Sequence, residues 1–89
     1  MLTKRILVTG KVQGVFFRQS TLQKARELGI SGQVENLPDG DSVSIIATGT
    51  ETRIAELISW CQQGPPRAIV KHVEISDQPL QEFKNFSIL

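Results

Sequence analysis

The spacing of apolar residues changes several times along the chain, and the order of these changes constrains the fold. Alternating or β-branched runs predict strands at 4–10, 31–36, 41–49, 67–75 and 83–89. Apolar residues three or four apart predict two helices, one over 16–28 and one built around Ile54, Leu57, Ile58 and Cys61. The order strand, helix, strand, strand, helix, strand, with a further strand added at an edge, is the ferredoxin-like split βαβ order. It predicts an α+β sandwich in which an antiparallel sheet of four to five strands carries two helices on one face.

Residues that interrupt regular structure mark the ends of these elements. Gly29 follows the first helix where a C-cap is expected, and the run Gly64–Pro66 stops the second helix. The segment LPDG at 37–40 predicts a turn that joins the second and third strands into a hairpin. In the fourth strand the alternation slips between Val70 and Val73, which predicts a β-bulge.

Composition limits the chain to one small domain and argues against several classes of function. Its 89 residues are enough for a single modest core, so we expect one domain over 1–89. A net charge of +1 provides no broad basic surface, which argues against nucleic acid as a partner. No apolar run is long enough for a signal segment or a membrane span, and the one cysteine, Cys61, cannot form an intrachain disulfide. These features predict a cytoplasmic monomer without a membrane partner.

The loop GKVQGV at 10–15, between the first strand and the first helix, has the properties of an anion site. Gly10 and Gly14 permit backbone angles that other residues resist, and successive N–H groups in such a turn can converge on an anion. The helix that follows adds free N–H groups and the positive end of its dipole, and Arg18 lies in its first turn. The spacing favours a phosphate site, and the alternative is a plain connection with a solvated arginine. The nucleotide-binding P-loop pattern is absent, so neither ATP nor Mg²⁺ is predicted.

Asn36 ends the first strand of the hairpin and is a second candidate for this site. We expect the strand at 31–36 to lie next to the first strand, which would bring Asn36 close to the loop. An amide both donates and accepts hydrogen bonds, so Asn36 can hold a water molecule in a chosen direction. The alternative is a residue that only begins the turn before Pro38.

Taken together, these segments resemble the acylphosphatases, small enzymes that hydrolyse acyl phosphates. The segment GKVQGVFFR at 10–18 matches the family pattern G-x-V-Q-G-V-x-F-R, and GQVENLPDG at 32–40 matches G-x-V-x-N-x-x-D-G. The segments GPPRAIVKHVE at 64–74 and FSI at 86–88 are similar to later parts of the family. The likeness therefore spans essentially the whole chain.

The resemblance implies hydrolysis of the carboxyl–phosphate bond of a small-molecule acyl phosphate to a carboxylate and inorganic phosphate, with no metal or other cofactor. It implies that Arg18 binds the phosphoryl oxygens and that Asn36 orients the attacking water. It also implies that backbone N–H groups of the loop hold the phosphoryl group, over Gly10, Lys11, Val12, Gln13, Gly14, Val15 and Phe16.

The chain departs from the family pattern at two places. Gln33 stands where many members carry an aromatic residue, and the end at Ile88–Leu89 lacks the basic or aromatic residues that often close the last strand. Both differences concern strand packing rather than chemistry, because Arg18 and Asn36 are present.

Several reactive side chains fall outside the pattern. Cys61 lies on the apolar stripe of the second helix and His72 lies in a strand without a ligand partner, so we interpret both as structural or surface residues. Glu35 and Asp39 are the acids nearest to the hairpin turn, and neither has a spacing that indicates acid–base work.

Two other functions fit parts of the sequence. RNA-binding modules share the order of elements, but they display aromatic residues on central strands, whereas most aromatics here fall in the helices or the last strand. A non-catalytic anion sensor would keep the loop without turnover, and the presence of both Arg18 and Asn36 argues against it.

Overall fold

Two helices and five strands make up the fold, as a computed structural model covering all 89 residues shows. The strands are β1 (Leu2–Lys11), β2 (Ser31–Asn36), β3 (Ser42–Gly49), β4 (Ile69–Gln78) and β5 (Phe86–Ile88). The helices are α1 (Phe17–Glu27) and α2 (Glu51–Cys61). The predicted α+β class and ferredoxin-like order of elements are confirmed.

The five strands form one sheet in the order β4-β1-β3-β2-β5. The first four strands are antiparallel neighbours, as predicted. The fifth departs from the prediction of a wholly antiparallel sheet, because β5 pairs with β2 in parallel and places Ile88 opposite Val34. The connection after β4 crosses the sheet at the end where β2 begins, and Gln81 bonds there to the hydroxyls of Thr3 and Thr48. The last strand therefore starts beside the start of β2 and runs in the same direction.

The prediction that the strand at 31–36 lies next to the first strand is wrong. β3 lies between them, pairing with β1 on one side and with β2 on the other. The crossover through α1 leaves β1 and β2 parallel and one strand apart. That gap admits β3, which is antiparallel to both.

Both helices cover the same face of the sheet and enclose a core of 15 buried residues. Ile6, Val8 and Ile45 supply the sheet side and are fully buried. The predicted apolar stripes of the helices are confirmed, because Phe17 of α1 and Leu57 of α2 are also buried in this core. The opposite face carries polar side chains over much of its area and has no helix against it.

A β-bulge interrupts the pairing of β1 with β4, in the strand whose slipped alternation predicts one without giving its position. Thr9 lies opposite His72, whereas Gly10 lies opposite Val70, so Lys71 is the extra residue on β4. Gly10 has φ 138°, and a Cβ at this position would collide with the carbonyl oxygen of Ile69. The bulge therefore requires glycine here, directly before the chain leaves the sheet for the loop.

The turn between β2 and β3 is organised by the carboxylate of Asp39. Its Oδ1 accepts hydrogen bonds from the N–H groups of Asp41 and Ser42, both at 2.9 Å, and its Oδ2 accepts one from the Ser42 hydroxyl at 2.6 Å. The Ser42 hydroxyl, followed by the Asp41 N–H, lowers the pKa of Asp39 below its ordinary value of 3.8. Asp39 is thus a turn-forming residue, consistent with leaving it out of acid–base chemistry.

Leu57→Ala should lower the free energy of unfolding by about 2–5 kcal/mol, because it removes a fully buried side chain and leaves a cavity under α2. Leu80→Ala is the matched control, since Leu80 is 59% exposed and its loss should cost less than about 0.5 kcal/mol. Urea denaturation of both variants measures the difference. Equal losses would contradict this packing.

Asp39→Asn should reduce the fall in melting temperature that occurs between neutral and acid pH. Because the pKa of Asp39 is lowered on folding, its hydrogen bonds stabilise the fold above pH 3.8, and this stabilisation disappears as the pH falls through the lower folded-state pKa. The variant should therefore melt at a lower temperature than the parent near neutral pH and approach the parent in acid. Thermal melts across this range test the prediction, with the exposed neighbour Asp41→Asn as control.

Candidate active site

A cleft of about 390 Å³ opens between the start of α1 and the strand pair β2–β5. Its polar side chains are those of Arg18, Gln19 and Asn36. The rest of the lining is apolar or glycine, namely Val12, Gly14, Phe16, Phe17 and Ile88. No acidic side chain lines the cleft, so an anion placed there meets no repelling carboxylate.

The loop that leads into α1 has the backbone geometry of an anion nest. Gly14 has φ 73° and Phe16 has φ 65°, and Phe16 is the only residue other than glycine with a positive φ. None of the backbone N–H groups from Val12 to Phe16 donates a hydrogen bond within the protein. Alternating left- and right-handed residues turn successive N–H groups toward one side. The loop therefore provides several free donors.

The start of α1 adds further free donors. Phe16 occupies the N-cap position without a side-chain cap, and the first turn contains no acidic residue. The first N–H groups of any helix lack an intrahelical acceptor and lie at the positive end of the dipole. The beginning of α1 is thus positively polarised toward solvent.

Arg18 extends from this first turn and lines the cleft. Its side chain is exposed and forms no ion pair, since the two ion pairs in the protein join Lys4 to Asp77 and Lys24 to Glu27. The guanidinium is therefore available to a ligand.

Asn36 brings an unsatisfied acceptor to the same cleft. It is the last residue of β2, and strand alternation places it on the same face as Val34, toward the helices. Its Oδ1 is buried and has no hydrogen-bond partner in the protein. A buried acceptor without a partner is costly, so a native structure rarely retains one without a role.

Gln13 connects the loop to the strand that carries Asn36. Its side-chain N–H₂ donates to the carbonyl oxygens of Leu37 and Ser42, both at 2.9 Å. Leu37 directly follows Asn36, so these bonds hold the loop against the hairpin although β1 and β2 are not adjacent. The expected proximity of Arg18 and Asn36 is thus reached by a different route from the one predicted.

The structure divides the predicted site residues into three groups. Those that line the cleft are Val12, Gly14, Phe16, Arg18 and Asn36. Gly10, Lys11 and Gln13 line a separate depression beside β4 and the β2–β3 turn, which Val12 also borders, and Val15 is buried in the core.

The structure also differs from the sequence prediction at Gly10 and in part of the cleft lining. The N–H of Gly10 donates to the carbonyl oxygen of Asp41 at 3.0 Å, so it is not free for a phosphate. Phe17, Gln19 and Ile88 line the cleft without having been predicted as site residues. The position of Ile88 depends on the parallel pairing of β5, for which the sequence carries no clear signal.

The remaining reactive groups lie away from the cleft. Cys61 is buried in the core, and burial raises the pKa of its thiol to about 12, so the thiol stays protonated. His72 is exposed on β4. Nowhere do three or more His, Cys, Asp or Glu side chains gather as ligands for a metal ion. Neither helix combines the length and apolar character that crossing a membrane requires.

Comparison with known proteins agrees with the geometry. The acylphosphatase family model matches residues 4–88. The acylphosphatase of Marinobacter nauticus is 52% identical over 82 residues, which cover 91% of this chain and 88% of the relative. That of Aeropyrum pernix is 45% identical over 89 residues, which cover 99% of this chain and 88% of the relative.

Solved structures give the same result. An acylphosphatase from Coxiella burnetii has a TM-score of 0.94 at 36% identity, covering 99% of this chain and 92% of its own. The acylphosphatase from Bacillus subtilis has a TM-score of 0.95 at 33% identity, covering 100% of this chain and 99% of its own. A family match over nearly the whole length, relatives near half identity and superposable structures lead to one conclusion: the chain belongs to the acylphosphatase family.

Proposed function

We propose that this enzyme hydrolyses acyl phosphates in the cleft at the start of α1, with Arg18 and Asn36 in the central roles. Family membership supports the activity itself. The observation that supports the site is the buried, unpartnered Oδ1 of Asn36, in a cleft that also holds the unpaired Arg18. The products are a carboxylate and inorganic phosphate.

The phosphoryl group is held by charge and by backbone donors. The free N–H groups between Val12 and Phe16 and in the first turn of α1 bind its oxygens, and the Arg18 guanidinium binds two of them at once. The transition state of phosphoryl transfer is loose and spreads negative charge over the equatorial oxygens. Donors fixed in position before the reaction therefore stabilise that state more than the ground state.

Asn36 orients the nucleophile. Its Oδ1 accepts a hydrogen bond from a water molecule, which leaves a lone pair of the water directed at phosphorus. The water oxygen forms a bond to phosphorus as the bond between phosphorus and the carboxyl oxygen breaks, and the carboxylate leaves with the electron pair. The proton of the water passes to a phosphoryl oxygen, since no acid or base lines the cleft.

The chemistry of the lining suits this class of substrate. A carboxylate is a weak base and leaves without being protonated, whereas the alkoxide of an ordinary phosphate ester needs a general acid. None of the lining side chains is an acid that could supply that proton. The cleft therefore matches acyl phosphates better than phosphate monoesters.

The proposal includes a single domain over 1–89 that acts as a cytoplasmic monomer on a small molecule, without a metal or other cofactor. The family match over 4–88 supports one domain. β1, β3 and β2, the three inner strands of the sheet, carry no aromatic residue, which disfavours RNA binding by base stacking.

Arg18→Ala should reduce kcat/KM for benzoyl phosphate by about 10³–10⁵-fold, the range of transition-state arginines. Arg18→Lys should recover little of the lost activity, because an ammonium group cannot contact two oxygens in a planar fork. Absorbance assays in the presence of EDTA measure turnover, and the parent enzyme should be unaffected by EDTA. Arg26→Ala is the matched control, an exposed arginine in the last turn of the same helix. If the Arg18→Ala variant had the same kcat/KM as this control, Arg18 would have no part in the reaction.

Asn36→Ala should reduce kcat by about 100-fold or more while the inhibition constant for inorganic phosphate stays the same, because the residue acts on water. Its melting temperature should be equal to or above that of the parent, since the substitution removes a buried acceptor without a partner. Asn85→Ala, at an exposed asparagine, is the control. A parallel loss of phosphate affinity would instead assign Asn36 to binding.

A further inference from the structure

Phe16 combines a strained backbone with a large exposed side chain. Its φ of 65° and ψ of 24° place it in the left-handed region, where a glycine costs less free energy than an aromatic residue. The anion nest accounts for this backbone conformation but does not account for the ring. Core packing does not account for the ring either, because Phe16 is 71% exposed. The ring is therefore free to contact a ligand.

The location of the ring indicates what that use is. Six large apolar side chains are exposed in this protein, and Phe16 is the only one that lines the cleft. It shares the lining with Ile88, a half-buried residue at the end of β5. Val12 and Phe17 lie deeper and are almost fully buried, each 1% exposed. The cleft thus has a polar part at Arg18 and Asn36, with the charge on Arg18, and an apolar wall at Phe16 and Ile88.

An acyl phosphate has the same two parts, a charged phosphoryl group and an acyl group. Resting on the proposed function, we propose that Phe16 and Ile88 contact the acyl group of the substrate and select for apolar acyl groups. A ring or a branched chain that packs against Phe16 loses apolar surface to the protein, and aromatic pairs gain further from offset or edge-to-face contact. An acetyl group is too small to cover this wall, and a charged acyl group would lose hydration there. The preferred substrates are therefore aromatic or branched aliphatic acyl phosphates.

The ratio of kcat/KM for benzoyl phosphate to kcat/KM for acetyl phosphate tests this assignment. Phe16→Ala and Phe16→Gly should both lower the ratio by about 10-fold, within the range that loss of apolar contacts gives in a binding pocket. Phe16→Leu should lower the ratio less than Phe16→Ala or Phe16→Gly does, because leucine keeps a large apolar side chain. Ile88→Ala should lower it as well, and the control Ile75→Ala, an exposed isoleucine on β4, should leave it unchanged.

The glycine variant separates the side chain from the backbone. Glycine adopts the left-handed conformation readily, so Phe16→Gly keeps the loop geometry, which the inhibition constant for inorganic phosphate reports. A lowered ratio with unchanged phosphate inhibition supports the acyl contact. A parent-like ratio in both Phe16→Ala and Phe16→Gly, with the parent enzyme active on both substrates, overturns the acyl contact and leaves the proposed function standing. A parent enzyme that hydrolyses neither substrate overturns the proposed function as well.

Discussion

The two hydrogen bonds from the Gln13 side chain to the carbonyl oxygens of Leu37 and Ser42 are the contact on which the site depends. Arg18 follows β1 and Asn36 ends β2, and β3 separates these two strands in the sheet. If the loop had no fixed position, Arg18 would have no defined position relative to Asn36. By fastening the loop to the hairpin turn, which Asp39 itself makes rigid, Gln13 sets the two groups on either side of one cleft.

Three unfavourable features lie together around that cleft, while the surrounding structure follows ordinary rules. Phe16 adopts a left-handed conformation, Oδ1 of Asn36 is buried without a partner, and α1 begins without a cap. Elsewhere, α2 is capped by the Thr50 hydroxyl, and α1 ends with Gly29 and Ile30 donating to the last carbonyl groups of the helix. Each of the three features leaves a donor, an acceptor or a charge free for a ligand. The core provides the stability that such a site requires.

The amino-acid sequence was enough to predict the helices, the strands and most residues of the cleft, but it did not predict which strands are neighbours. Helical and alternating spacing reports burial directly, so the stripes around Phe17 and Leu57 were predictable, and so was the slip that marks the bulge near Lys71. Long-range packing decides which strands become neighbours. The position of β3 and the parallel pairing of β5 were therefore not predictable from the sequence. Ile88 was missed in the cleft for the same reason. The bonded N–H of Gly10 depends on a partner 31 residues away, Asp41, which spacing cannot reveal.

The position of β1 in the sheet also governs how the chain can acquire its structure during synthesis. Both neighbours of β1 come later in the sequence, β3 at 42–49 and β4 at 69–78. β1 is therefore made before either of its partners, and its second edge stays unpaired until the segment 69–78 is present. Contacts so distant in sequence slow folding, because a large loop must close before they form. The loop at 12–16 directly follows this strand, so we expect it to reach its final order only after β1 has paired on both sides.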